Sequence, residues 1–414
     1  MRFRYSTEEN GKLVKKAAVY TQDEHRIKFS DVDSHAVQIT EKLQANGYET
    51  YIVGGAVRDL ILGKKPKDFD IVTAANPTKI KKIFRNARII GRRFRLVHVF
   101  FGPKIIEVST FRSLRDGPTS NTFGTVEEDV LRRDFSLNAL FYDPIKQIVV
   151  DYVGGMKDIR NRLIRPIIAL SNIFIDDPVR MIRAVKYAAA ADFKLPLSLK
   201  MRIRRHSGLL ADISPSRLTE EIFKIINSPH AREIVEGLDS LGLYCYLQPQ
   251  AAELFKSRSG FRAKYLETMG SVDREAPVIR RGEIMSVLIR DYLEDTADWD
   301  GKQGMVSGQS SGAVQIHSPA ERYKNTFILA RKFVLPMNPP RVELEAALRL
   351  LFAEHGVTVK RLRHNEHPVH AASPANAARP AAAEPKPAEK ENEGAPNKRR
   401  RRRRKRAEPS APVI

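Results

Sequence analysis

Short apolar runs alternate with segments of helical period over roughly the first 165 residues, and helical period alone follows. Tyr51–Val53 is an apolar run entering a Gly54-Gly55 turn; Ala56 to Leu62 keep the helical period up to Gly63, and Asp68-Phe69-Asp70 opens Ile71-Val72-Thr73. This pattern predicts strand, glycine turn, helix and strand. Ser34, Val37, Ile39, Leu43 and Gly47 trace a helix before it, and Asn76-Pro77-Thr78 starts another after it, with Pro77 suited to a first turn. Further strands are predicted before and through Val99, over Lys104 to Thr110 and over Ile148 to Val150, with one helix from Glu127 to Leu140.

Beyond Ile164 the pattern predicts helices from Pro178 to Ala191, from Ser214-Pro215 to Pro229, and through residues 230–295. Residues 301–318, rich in Gly, Ser and Gln, read as a flexible insertion, and 114–126 as a mobile loop. Helix returns from Ala320 to His355 and is broken at Pro336 to Pro340. From about residue 360 the Ala, Pro, Glu and Lys composition cannot bury enough surface to fold, so 361–414 is expected to be disordered. Residues 1–33 are polar and read as an extension. The predicted class is α+β: a mixed-sheet head over 34–166, a helical neck over 167–245 and a helical body over 246–360.

Charge narrows the partners. The chain has 71 Lys and Arg against 49 Asp and Glu, a net +22 over 414 residues, which points to a polyanion. The segment from Arg361 onward holds fourteen Lys or Arg against six Asp or Glu, so most of the excess lies elsewhere. Lys398 to Arg406 are nine consecutive basic residues; Arg399, Arg400, Arg401, Arg402, Arg403 and Arg404 would attract RNA phosphates without reading sequence, or dock a protein partner. No apolar run approaches the length of a spanning helix, so no membrane is expected. The single Cys245 excludes an intrachain disulfide, reads as a buried small hydrophobe, and with the polar N-terminus suggests the cytoplasm.

Several clusters could carry chemistry. Asp68 and Asp70 leave one face of a strand with Phe69 on the other, an arrangement suited to Mg²⁺. Gly54 and Gly55 let backbone approach a phosphate ahead of a helix N-terminus; the plain alternative is a tight turn. Glu107, inside an apolar strand, is a candidate third acid or a rim salt bridge. Arg92, Arg93 and Arg95 surround Phe94 and are either an RNA contact or a solvated turn. Asp134 and Asn138, four apart on the expected helix, share a face next to Arg133, and Asp177 is an N-cap candidate before Pro178.

Gly54-Gly55-Ala56-Val57-Arg58-Asp59 with Asp68-Phe69-Asp70 resembles the first signature of the DNA polymerase beta type nucleotidyltransferases, in the class holding bacterial poly(A) polymerases and CCA-adding enzymes. The likeness covers about residues 34 to 230. It implies a polymerase-beta-like head in which Asp68 and Asp70 hold Mg²⁺, with Glu107 beside them, while Gly54, Gly55, Arg58 and Arg133 face the ATP triphosphate and Asp134 and Asn138 the ribose. It also implies that Asp177 and Arg180 read the base, with Arg183 a turn further on, and that Arg217 with Glu220-Glu221 supports that helix. Asp176 stands where the family commonly has glutamate, which touches base selectivity.

The stretch Gly91 to Val99 and the arginine-rich tail resemble the poly(A) polymerase branch. The implied activity is template-independent addition of AMP from ATP to RNA 3′ ends, with RNA-decay proteins as candidate partners of the tail. A CCA-adding tRNA nucleotidyltransferase and a catalytically idle RNA-binding scaffold are the alternatives.

Overall fold

The period-two runs form a sheet covered by helices on both sides. The computed structural model describes residues 2–7, 13–91, 95–113, 122–275, 280–300 and 318–357. Its strands are β1 (Arg2–Thr7), β2 (Leu13–Tyr20), β3 (Thr50–Val53), β4 (Asp70–Thr73), β5 (Ala87–Ile90), β6 (Leu96–Phe101), β7 (Lys104–Thr110), β8 (Leu140–Asp143) and β9 (Ile148–Asp151). They join in the order β1-β2-β9-β8-β3-β4-β7-β6-β5. β4 and β7 are parallel, and the other neighbours run antiparallel. Residues 2–7 and 13–20, expected to be an extension, thus add two strands to the sheet: β2 pairs edge to edge with β9, which places Tyr20 in the core on one face and Ala17 in that on the other.

β3 explains the central position of residues 51–70. Its successive side chains point to opposite faces, and both faces are filled: Ile52 joins a core with Ile71, Val108 and Tyr142, whereas Tyr51 and Val53 join Val72, Phe141 and Val150. A strand buried on both faces has no polar positions, as the Tyr51–Val53 run has none.

The helices among the described residues are α1 (Gln22–His25), α2 (Ser34–Ala45), α3 (Gly55–Ile61), α4 (Pro77–Ile83), α5 (Val126–Leu131), α6 (Gly155–Arg160), α7 (Ile173–Asp176), α8 (Val179–Ala191), α9 (Leu197–His206) and α10 (Pro215–Ile226). The chain continues through α11 (Ala231–Ser240), α12 (Tyr244–Leu247), α13 (Pro249–Ser257), α14 (Ser259–Glu275), α15 (Arg281–Thr296), α16 (Pro319–Phe333) and α17 (Arg341–Glu354). Local chemistry sets several starts. Asn76 Oδ1 accepts the Lys79 N–H at 2.9 Å ahead of Pro77, and Asp33 Oδ1 accepts those of His35 and Ala36 at 2.9 and 3.1 Å.

The expected helix from Glu127 to Leu140 is instead three elements: α5, a 3₁₀ turn over Ser136–Asn138, and β8. Phe135, Leu137 and Phe141 are all fully buried, a continuous apolar demand that one exposed helix could not meet. Asp134 and Asn138 therefore do not share a helix face. The turn after β9 is tied down by Asp151, whose Oδ1 accepts the N–H groups of Val153, Gly154 and Gly155 and whose Oδ2 accepts that of Met156. Trp299 packs: its ring stacks on His355 at 4.1 Å and its Nε1 donates to the Leu293 carbonyl at 3.0 Å. Cys245, expected to be buried, is exposed on the short α12, where Tyr244 and Leu247 take the inward positions. The expected insertion at 301–318 lies outside the described residues up to 317, as do the loop over 114–121 and the tail.

Candidate nucleotide-binding site

α3 and α8 meet the segment before β8 around a cleft of ≈ 380 Å³. Its lining brings together Gly54, Gly55, Arg58, Asp70, Arg133, Asp134, Asn138, Asp177, Arg180 and Arg183, ten residues expected from separate parts of the sequence. Arg132 and Tyr187 complete it. Tyr187 was not among the expected residues, although its spacing of four from Arg183 and seven from Arg180 along one helix was a usable signal.

Gly54 sits at φ 72° and ψ −138°, a conformation that strains any residue with a side chain, and it turns the chain from β3 directly into α3. A Cβ there would meet Asp70 Oδ2 at an ordinary 3.8 Å, so the positive φ rather than the space calls for glycine beside the acid at the start of β4. Phe69 is buried between the two acids, and Asp68 and Asp70 both remain solvent-accessible. Across the β4–β7 pair Asp70 is in register with Glu107. Glu107 lies 3.6 Å from His98 Nε2, a half-exposed ion pair on the neighbouring strand when the histidine is protonated. Enclosure in the cleft, followed by the charges of Glu107 and Asp68, pushes the Asp70 carboxyl up to about 6, against a smaller opposing pull from Arg133. Of the three acids only Asp70 lines the cleft, with Asp68 and Glu107 outside the lining, and like charges that act on one another in this way are what a bound divalent cation relieves. Among the described residues no three His, Cys, Asp or Glu side chains form a ready metal cage, so substrate or water oxygens would complete any coordination.

The opposite wall is cationic and closely held. Arg58 donates from Nη1 to Asn138 Oδ1 at 2.9 Å and from Nε to Asp59 Oδ1 at 2.9 Å, and its guanidinium lies 5.6 Å from the Tyr187 ring centroid. Arg133 donates to Asp129 Oδ2 from Nε and Nη2 at 3.2 and 2.9 Å and to the Asn138 carbonyl at 3.0 Å. The 3₁₀ turn thus presents Asn138 to two arginines. Asp134 accepts the Phe135 N–H at 2.8 Å and stands 3.9 Å from Arg183. These fixed side chains offer hydroxyl and phosphate partners without reorganising.

At the start of α8 the cap position is held by Pro178, not by Asp177 as expected, because Asp177 ends α7; its Oδ1 still accepts the Val179 N–H at 3.2 Å, and both its oxygens accept from Arg217 Nη2 at 2.8 Å. Arg180 is buried, donates to the Ile173 carbonyl at 3.1 Å and lies 4.0 Å from Asp176. Below the same helix, Glu221 on α10 is 2 % exposed and faces Lys186 at 3.2 Å, Lys224 at 3.3 Å and Arg183 at 3.9 Å. Arg95 is exposed just ahead of β6, away from the cleft lining; Arg92, Arg93 and Arg399 to Arg404 lie outside the described residues.

Comparison with known proteins agrees with this geometry. A family described as "Poly A polymerase head domain" matches residues 50–165, and "Probable RNA and SrmB- binding site of polymerase A" matches 192–255. Poly(A) polymerase I of Salmonella typhi is 42% identical over 253 residues, covering 57% of this chain and 54% of that protein. The CCA-adding enzyme of Geobacillus kaustophilus is 36% identical over 239 residues, covering 56% and 59%. The chain therefore spans little more than half the length of these relatives. The crystal structure of Bacillus stearothermophilus CCA-adding enzyme in complex with CTP superposes with a TM-score of 0.52 at 32% identity, over 62% of this chain and 61% of that one. No helix among the described residues is long and apolar enough to cross a membrane. With most of the head motifs gathered in one cleft and these likenesses, the chain is related to the nucleotidyltransferases that include poly(A) polymerase I and the CCA-adding enzymes.

Proposed function

We propose that the chain adds AMP from ATP to RNA 3′ ends without a template, as a polynucleotide adenylyltransferase acting in the cytoplasm. The observation that carries this reading is the cleft in which a glycine turn, an acid at the start of β4 and five arginines of α3, α8 and the β8 approach face one another. Gly54 and Gly55 admit a phosphate to the backbone, Arg58 and Arg133 neutralise the triphosphate, and Asp134 and Asn138 accept from and donate to ribose hydroxyls. Asp177 and Arg180 offer an acceptor and a donor to the adenine edge. The arginine-rich tail would tether RNA or dock RNA-decay proteins.

Asp68 and Asp70 would hold Mg²⁺, and an Asp70 carboxyl raised by enclosure and then by the charges of Glu107 and Asp68 fits a cation there. When bound, the ions supply charge for the 3′-hydroxyl and the departing pyrophosphate. The protein's own share is alignment: the cleft walls hold the nucleotide so that a hydroxyl arriving beside the acids meets the α-phosphorus in line.

Similarity to CCA-adding enzymes supports a second reading in which CTP is used before ATP. Incubating the protein with a short RNA, Mg²⁺ and one nucleotide at a time separates them. A long ladder with ATP alone is expected; two C residues and one A added to tRNA and then arrest would support the second reading, and no extension would refute both.

A further inference from the structure

Tyr187 lines the nucleotide cleft without a part, so far, in holding a nucleotide. Its ring is fixed from three sides. Phe135 meets it edge-on with 6.1 Å between centroids, and the Arg58 guanidinium and the Lys186 ammonium each lie 5.6 Å from its centroid. That packing uses the ring alone, and a phenylalanine would meet it equally well. The hydroxyl is another matter. Among the described residues it has no hydrogen-bond partner, and a buried hydroxyl normally has one. Tyr187 is only partly buried, and its oxygen is not sealed in the core.

The charges around the phenol say which way it faces. Tyr187 also borders a groove lined by Lys64, Lys65, Lys67 and Lys224, yet the charges acting most strongly on it are those of Asp134, Arg183 and Arg58, all three in the cleft lining. Burial, then Asp134, push the phenol above its ordinary value, so at neutral pH it keeps its proton and is a donor.

α8 sets the order of the contacts. Arg180, Arg183 and Tyr187 are three and four apart and share a face, which puts Tyr187 about 10 Å along the helix from Arg180. Arg180 stands at the base-reading end, Arg183 lies 3.9 Å from Asp134, and Tyr187 comes one turn later. Asp134 Oδ1 is taken by the Phe135 N–H, which leaves Oδ2 on the Arg183 side as an acceptor. A phenol donor and a carboxylate acceptor on one wall suit a hydroxyl, which gives one proton and can receive another. Phosphate oxygens have no proton for Asp134.

We propose that Tyr187 is a specificity residue, its hydroxyl donating to the vicinal hydroxyls of the nucleotide's ribose while Asp134 accepts from them, so that ribose is chosen over deoxyribose. The proposal rests on the reading of the cleft as a nucleotidyl transfer site. It adds to the head residues Asp134 and Asn138 a donor carried by α8, so that base and sugar are checked from one helix.

The test is the full chain with Tyr187→Phe, which keeps the ring and its cation contacts. kcat/KM for a single addition to a short RNA is measured with ATP, 2′-deoxy-ATP and 3′-deoxy-ATP, and the affinity for each nucleotide is measured with Mg²⁺ but without RNA. The preference for ATP over at least one deoxy analogue should fall about 5-fold in both measurements, the worth of one neutral hydrogen bond. kcat/KM for that analogue should stay at the wild-type value, because the bond was never made to it, and the analogue that responds names the hydroxyl. A merely structural role would lower all three together and leave the ratios alone; that result, or no change at all, would overturn the proposal. A binding ratio that narrows in a chain unable to transfer AMP would keep the phenol at the sugar and sink the transfer reading. AMP transfer with unchanged ratios would sink the proposal alone, and a chain that binds no nucleotide would remove both.

Discussion

Glu221 is where stability and the α8 helix that lines the cleft are most tightly joined, and Glu221→Gln tests the link. Burial alone would raise its carboxyl, but Lys186, Lys224 and Arg183 outweigh this and hold it below the ordinary glutamate value. Lys224 is 55% exposed and can turn toward water, whereas Lys186 is only 16% exposed and cannot. The cost of the substitution is therefore mainly that of leaving Lys186 buried with no counterion. Breaking a buried pair from one side costs about 3–5 kcal/mol, and a glutamine carbonyl that still accepts from the ammonium should reduce this to about 2 kcal/mol.

The pH dependence follows from the lysine. Desolvation already holds Lys186 below 10.5 despite the pull of Glu221, and losing that acid lowers it further. Between the depressed folded value and the unfolded one, the unfolded chain binds more protons, so stability of the variant rises with pH across that window. Urea unfolding followed by circular dichroism should show a deficit of about 2 kcal/mol at pH ~7 that shrinks by pH ~9.5. Adding Lys186→Met to Glu221→Leu should recover most of the loss, since a buried pair replaced as a unit by apolar residues is often neutral. A deficit below about 0.5 kcal/mol, the ordinary effect of a surface change, or one independent of pH, would show that Lys186 is not the group left stranded.

Arg217→Ala should lower the preference for ATP over CTP about 5-fold, roughly the 1 kcal/mol held by an exposed charged contact from one guanidinium nitrogen, with folding unchanged; an unaltered ratio of kcat/KM values would release Asp177 from base reading. Asp70→Ala should abolish RNA extension while leaving oligo(A) affinity close to wild type, and retained extension would remove Asp70 from the cation site. Gly155→Ala would place a Cβ 2.3 Å from the Ser136 carbonyl oxygen. Since backbone must move to admit it, we expect a loss of about 2 kcal/mol in urea unfolding together with a higher KM for ATP, because Ser136 opens the turn that carries Asn138; full activity and stability would show that this approach is not needed.

What the sequence made legible, and what it hid, divides by the range of the interactions involved. The run from Tyr51 to Thr73 could be read because each step is local: a doubly buried strand must be apolar, Gly54 must take a positive φ, and an exposed acid on either side of buried Phe69 follows from alternation. The Glu127 to Leu140 segment failed for the opposite reason. Its helical period is genuine up to Leu131, but Phe135 and Phe141 are claimed by different parts of the core, and only the sheet pairing of β8 with β3 and β9 reveals that β8 must be extended. The strands of residues 2–20 were hidden in the same way, since a polar hairpin gains its place from β9, some 130 residues later. Asp134 and Asn138 meet in the cleft despite the wrong helix because the constraint on them is spatial. A 3₁₀ turn held by Arg58 and Arg133 brings Asn138 to the cleft, Asp134 lines it from the segment just before that turn, and the Asn138 carbonyl, released from helical bonding, fixes Arg133 against the cleft wall.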